Sequence, residues 1–279
     1  MDYSIILINY SKMERSMYGI LSWLMQVDCP RYEVIVLHCT EYGKQIKDLK
    51  RHKSENCSYR VKRIDTPDYF NLAAFRNLGI YYANGENVCI ASVDIIRRSD
   101  FLKNINYLLI KNDCWISAGS FHIPKHTDYL ADVNSYNQTN KFDVIMDTIS
   151  KDFKYKHTID YGTSIVKKEH ITSIGGYDDN ILFHEDADID RRADFYFRER
   201  GVEHPIIRTT DTKKYPGAKL KGIKKIDMRS HGMLIKHSDK KASRQLMFEK
   251  ESSGYKFTPL NMDEEYLMSR LYASKRPKS

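Results

Sequence analysis

The stretch NLAAFRNLGIYYANGENVCIASVD, residues 71–94, decides how the chain is built. Its first part has helical spacing and ends at Asn84-Gly85, and its second part, Asn87 to Ser92, is a short apolar run that stops at Asp94. The pattern predicts a helix from Asp68 to Ala83, a glycine turn, and a buried strand. Outward from it, Tyr3 to Ile8 and Tyr32 to Leu37 are β-branched apolar runs separated by an amphipathic stretch from Met13 to Gln26, and Tyr59 to Ile64 is a weaker strand. Strands alternating with helices predict an α/β fold with a mostly parallel central sheet and flanking helices. Ligands of such sheets lie beyond the carboxyl ends of the strands, so Asn9-Tyr10-Ser11 and Ser92-Val93-Asp94 are expected to face one crevice.

At 279 residues the chain is long enough for roughly two domains of about 150 residues, or one large α/β domain with an appendage. Hydrophobic residues make up 41% and charged residues 29%, which excludes collagen-like, low-complexity and disordered classes. The apolar run Ile5 to Ile8 is too short for a signal-peptide core, and no stretch approaches the roughly 18 apolar residues of a membrane span. The five cysteines are scattered without C-x-x-C spacing. That argues against a disulfide framework or a thiolate zinc site and for a reduced, cytoplasmic setting.

Phe121 to Lys156 is polar, aromatic-rich and weakly periodic, as expected of a long binding excursion. Regularity returns at Tyr161 to Val166, then a Gly175-Gly176 turn, an acidic knot at Glu185 to Asp190, and a helix expected to run to Arg200 with Gly201 as its stop. Lys213 to Arg244 holds nine Lys and two Arg against two Asp, whereas the rest of the chain is nearly neutral. Such a field suits nucleic acid, an anionic membrane surface, or a phosphorylated ligand. No nucleic-acid-binding motif accompanies it, so nucleic acid is not an expected partner. Ser238-Asp239 caps a helix reaching about Glu251, and Asp263 to Ser274 reads as a final short helix.

Three groups of residues carry candidate chemistry. Asp94, just past a buried strand, suits hard-oxygen ligation of Mg2+ or Mn2+, although a lone Asp also caps turns. The run from Asp178 through Glu185, Asp186, Asp188 and Asp190 partly serves the N-terminus of the following helix, and carboxylates packed so closely are tolerated where a cation, an arginine or a reacting hydroxyl uses them. His231 and His237 lie among the cations of the basic segment, where an imidazole can ligate a metal next to a diphosphate.

Together these blocks resemble a family 2, GT-A-fold glycosyltransferase over about Tyr3 to Gly201. Tyr3 to Lys12 (YSIILINYSK) is similar to the family's opening strand, V-S-I-I-I-P-T-Y-N-R. Ala73-Ala74-Phe75-Arg76-Asn77-Leu78-Gly79 with Ala83, Gly85-Glu86 and Ser92-Val93-Asp94 resembles A-A-x-R-N-x-G-x-x-x-A-x-G-E followed by D-x-D. Gly175 to Asp179 and Glu185 to Arg192 resemble G-G-[FY]-D-E and E-D-x-D-[LI]-x-x-R. The resemblance implies a Rossmann-like nucleotide-binding GT-A domain over 1–212, with a nucleotide-sugar half to about 116, an acceptor half from about 117, and a basic helical extension over 213–279.

It further implies an inverting transfer from a nucleotide-diphosphate sugar, a UDP-sugar foremost, to a hydroxyl of a glycan, polysaccharide or glycolipid. Asp186 would be the general base and Glu185 its orienting neighbour. Ile8, Tyr10, Arg76, Ser92, Val93 and Asp94 would contact the donor, with Tyr10 stacking near the base. Asp94 and His231 would hold Mn2+ or Mg2+ at the diphosphate. An anionic membrane surface carrying lipid-linked acceptors is a further expected contact of the basic extension. Two positions depart from the pattern: Ser92 replaces the first acid of D-x-D, and His38-Cys39-Thr40-Glu41 stands where D-D-G-S is usual. They keep open the alternative of a catalytically inactive GT-A-like protein that binds nucleotide or glycan.

Overall fold

In strand β1 (Tyr3–Asn9), Ile5 and Leu7 turn to one face of the sheet and Ile6 to the other, and all three are fully buried. The computed structural model describes residues 1–10, 13–39, 42–65, 70–123, 160–182, 184–208, 222–225 and 237–273. β1 pairs in parallel with β2 (Tyr32–His38) and with β4 (Asn87–Ser92), and β2 pairs in parallel with β3 (Cys57–Arg63). Val34 and Val36 follow Ile5 and Leu7 into one core layer, while Ile35, Leu37 and Ile90 follow Ile6 into the other. Near-continuous apolar runs of this kind are what strands covered on both faces require.

The crossovers are α1 (Met13–Leu24), the short α2 (Gly43–Asp48), and α3 (Leu72–Tyr82). The expected helix from Asp68 begins later, because Asn71 is its cap and accepts from the backbone N–H of Ala74 at 3.1 Å. Gly79 lets α3 lie directly on β1, since a Cβ there would come within 2.3 Å of Ile6 Cγ2. Strand β5 (Ile95–Ile96) and helix α4 (Phe101–Lys111) follow β4, and Phe101 packs edge-on against Trp23 of α1 at 5.3 Å.

β6 (Trp115–Ile123) runs on well past Ile116, where the apolar pattern breaks. β7 (Asp160–Lys167) is antiparallel to both β6 and β4, with a register shift between Ala118 and Ser120. β8 (Ile206–Arg208) and β9 (Gly222–Lys225) add to β6 in parallel. The order is β3-β2-β1-β4-β7-β6-β9-β5, with β8 beside β6, so the sheet is mixed but mostly parallel and takes a strand from the basic segment. The other helices are α5 (Lys168–Ser173), α6 (Glu185–Arg198), α7 (His237–Ser253) and α8 (Glu264–Ala273). α3, α6 and α8 cover one face through Phe75, Leu78, Ile189, Phe197, Leu267 and Leu271. Among the described residues no helix is long and apolar enough to cross a membrane.

A buried amide joins the first half of the chain to the second. Asn77 Oδ1 accepts from the Tyr177 backbone N–H at 2.7 Å, and its Nδ2 donates to the Tyr177 carbonyl at 2.8 Å. Gly176, at φ +66°, is required beside it because a Cβ would lie 2.4 Å from Asn77 Oδ1. Asn77→Ala therefore strands two buried backbone groups and is expected to cost about 3 kcal/mol. Thermal unfolding should show a Tm lower by roughly 5–10 °C.

Candidate active site

The registers Ile8↔Ser92 and Asn9↔His38 bring the carboxyl ends of β1, β2 and β4 to one edge. Ile8, Tyr10, Ser92 and Asp94 are half-buried there, and Val93 is buried. The Ser92 hydroxyl donates to Asp94 Oδ1 at 2.5 Å, so the residue standing in place of an acid serves as a hydrogen-bond donor to the acid that remains. The Tyr10 ring packs on Phe70, centroids 4.0 Å apart, and Phe70 packs on Phe75 of α3 at 4.9 Å.

Arg76 lies one residue before the Asn77 clamp and is 5% exposed. Its Nη1 is 3.1 Å from Glu185 Oε1 and bonds Asp186 Oδ1, and its guanidinium carbon is 4.8 Å from the centre of the Tyr177 ring. Burial opposes the charge, but Asp186, Tyr177 and Glu185 outweigh it and hold Arg76 above its ordinary pKa. The residue expected to touch the donor thus clasps the pair of acids expected to be catalytic. Of that pair, the Glu185 side chain is 12% exposed and that of Asp186 is 39% exposed.

The acids around the shared Glu185–Asp186 pair are tolerated because each has a basic or hydrogen-bonding partner of its own. Asp179 receives two bonds from Arg270, at 2.6 and 2.7 Å, and Asp178 pairs with Lys250. Asp188 is 1% exposed and accepts from Arg192 Nε at 2.8 Å, while the other Arg192 nitrogens donate to the carbonyls of Ile174 and Gly176. The E-D-x-D-I-x-x-R pattern thereby holds the Gly175-Gly176 turn. Burial raises the Asp188 pKa against the pull of Arg192. Glu185, Asp186 and Asp188 occupy the first turn of α6, where the helix dipole favours negative charge, and His184 precedes them in the left-handed region at φ 70°.

Asp190, which no motif singles out, accepts from Trp115 Nε1 at 2.9 Å and from the Ser117 hydroxyl at 3.3 Å. Burial and then the nearby Asp186 push its pKa up to about 6, against Arg208 and these two donors. The sequence places it in the acidic knot, four residues from Asp186, without assigning it a role of its own.

Hard divalent cations take about six oxygen ligands, and among the described residues no three His, Cys, Asp or Glu side chains converge on one. Asp94 fits as a single carboxylate ligand that would leave most positions to a diphosphate and water. His231 and residues 124–156 lie outside the described residues, as does most of the basic segment; for His237 only the backbone is described.

No family model and no curated relative matches the chain. Solved structures do. S. aureus TarS, a family 2 GT-A glycosyltransferase, superimposes with a TM-score of 0.59 at 14% identity over 99% of this chain. This chain spans 44% of that TarS chain. TarS 1-349 in complex with UDP-GlcNAc gives a TM-score of 0.61 at 15% identity, covering 97% of this chain and 70% of that one. The mannosyltransferase PcManGT from Pyrobaculum calidifontis, in complex with GDP-Man and Mn2+, gives 0.56 at 14% identity, covering 98% and 70%. The chain therefore has a GT-A glycosyltransferase fold, the α/β architecture expected from its motifs.

Arg76→Met would leave Glu185 and Asp186 without their shared cation. Breaking a buried ion pair from one side costs about 3–5 kcal/mol, and the part-exposed Asp186 places this one near the lower end. Urea unfolding at neutral pH should show that loss, and a variant as stable as the parent would rule out the clasp.

Proposed function

We propose that the chain is an inverting glycosyltransferase that moves a sugar from a nucleotide-diphosphate sugar, a UDP-sugar foremost, to a hydroxyl of a glycan, polysaccharide or glycolipid. The observation that carries this reading is the Arg76 clasp. It fixes Glu185 and Asp186 against α3, the helix that leads into β4 and Asp94. The binding of UDP-GlcNAc and GDP-Man by structures of the same fold supports the donor class.

In this mechanism one Asp186 oxygen is held by Arg76 and the other receives the acceptor proton. The buried guanidinium restricts the rotation of that carboxylate. The acceptor oxygen bonds to the anomeric carbon as the bond to the diphosphate breaks, its proton passes to Asp186, and configuration inverts. Glu185, on the same nitrogen of Arg76, orients its neighbour. Tyr10, backed by Phe70, offers a ring to the nucleobase, and Ile8, Ser92 and Val93 border the donor. Asp94, with His231, would hold Mn2+ or Mg2+, which when bound neutralises charge on the leaving diphosphate. Residues 1–116 form the donor half and 117–212 the acceptor half, with 213–279 as the basic extension.

The Ser92 hydrogen bond on Asp94 favours a second reading, a scaffold that binds the donor without turning it over. With Mn2+ and a panel of nucleotide sugars, the transferase reading expects one donor to raise the Tm and be slowly hydrolysed. Stabilisation without hydrolysis or transfer would favour the scaffold, and silence across the panel would remove the transferase reading and leave a scaffold that binds glycan. Asp186→Asn is expected to lower kcat by at least about a hundredfold, within the usual range for a lost general base, with donor affinity little changed. Asp94→Ala should weaken Mn2+-dependent nucleotide binding by roughly tenfold or more, read by calorimetric titration.

A further inference from the structure

Three polar ties hold α7 against α6 and the segment around the glycine turn. Arg191 of α6 pairs with Glu251, Asp178 pairs with Lys250, and Arg244 Nε donates to His184 Nε2 at 3.1 Å. Ser243 and Met247 fill the buried side of the helix. The opposite side carries Lys241, Arg244, Gln245, Phe248 and Ser252, which line an open groove of about 700 Å3. Their spacing of three and four residues puts these side chains on one face.

Arg244 connects that face to the proposed chemistry. Its partner His184 immediately precedes Glu185 and Asp186 and holds a left-handed conformation that costs a side-chain-bearing residue energy. What accepts from Arg244 is an imidazole nitrogen and not a carboxylate, so the bond leaves the guanidinium charge unneutralised. Lys241, one turn earlier, is exposed and has no acidic partner among the described residues. Glu249, at the border of the face, is engaged by Gln245 Nε2 at 2.9 Å, and Arg191, 5.6 Å from the centre of the Phe248 ring, is matched by Glu251. Phe248 is 59% exposed.

We infer that this face of α7 binds the sugar acceptor, and that the acceptor is an anionic glycan, with phosphate or carboxylate groups close to the hydroxyl that reacts. The inference rests on the transferase reading of the preceding section. Lys241 and Arg244 meet the anionic group, the terminal nitrogens of Arg244 supplying the paired N–H donors that suit phosphate and carboxylate oxygens. Phe248, about 6 Å further along the helix, offers a flat apolar surface to the neighbouring sugar ring. A neutral glycan would leave two unmatched cations beside the proposed base without a purpose. A helix resting on an anionic membrane carries a broad apolar stripe, whereas Phe248 is the lone large apolar side chain among the residues of this groove.

The test uses soluble probes of matched length: a phosphorylated mannan oligosaccharide, an oligogalacturonate and a neutral mannan oligosaccharide, each titrated calorimetrically into the full chain at low salt. At least one anionic probe is expected to bind about tenfold or more tightly than the neutral one and to weaken as salt is added. Whichever anionic probe binds more tightly identifies phosphate or carboxylate as the group recognised. Lys241→Glu should weaken that binding roughly three- to tenfold and Lys241→Arg should restore it, with Tm and stabilisation by nucleotide sugar as in the parent. Phe248→Ala should lower affinity for the same probe. Equal or absent binding of all the probes, or a Lys241→Glu variant that binds as the parent does, would overturn the anionic acceptor and leave the transferase reading intact if a nucleotide sugar still stabilises the chain. Binding to phosphatidylglycerol vesicles that Lys241→Glu abolishes, in a chain that binds neither anionic glycan, would make this face a membrane contact and overturn the inference as well. Tight binding of an anionic glycan by a chain that no nucleotide sugar stabilises would overturn the transferase reading, and the acceptor role of α7 with it.

Discussion

A single buried guanidinium connects the two halves of this fold. Arg76 enters from α3, which belongs to the parallel part of the sheet, and the acids that hold it belong to α6, which lies beyond the antiparallel strand β7. Removing a cation from water is expensive, so the position is tenable only because two carboxylates and the Tyr177 ring surround the charge. The neighbouring Asn77 clamp and the Arg192 bonds to the glycine turn hold those carboxylates where Arg76 needs them. What looks like a nucleotide-binding motif in the first half and a catalytic motif in the second is, physically, one joint.

This joint changes how the acidic knot is understood. Carboxylates repel, yet Asp178, Asp179 and Asp188 are each neutralised by a different basic side chain and do no evident chemistry. The E-D pair shares one cation, and Asp186 keeps the more exposed side chain of the two. At the carboxyl end of β4, Ser92 stands where the resembled pattern has an acid, and its hydroxyl donates to Asp94.

Much of the architecture was legible from the amino acids. β1, β2 and β4 emerge within a residue of their expected ends because strands buried on both faces must be continuously apolar. β6 was not legible beyond Ile116: Ser117, Ala118 and Gly119 lack an apolar signature, and its pairing with β7 is broken by a register shift between Ala118 and Ser120. The apolar residues of α4, Phe101, Leu102, Ile105, Leu108 and Leu109, do fall on one face at helical spacing, but the preceding Arg97-Arg98-Ser99-Asp100 reads as a turn and draws the reading away from the helix that follows it. Motif order alone indicated Glu185, Asp186 and Asp94. The roles of Asn77 and Asp190 depend on partners far away in the chain, as when Trp115 meets Asp190 across 75 residues, and such pairings have no local trace.

The Asn77 clamp and the Arg76 clasp span 100 and 110 residues of chain. Loops that long are slow to close, and contacts of high sequence separation form late in folding. On a ribosome, the first four strands emerge and can collapse well before residue 186 exists, leaving a cation on α3 that must wait in solvent for its acids. The cleft therefore cannot close before the chain has been made past residue 186, and a nascent form short of that point has a paired sheet and an unlatched centre.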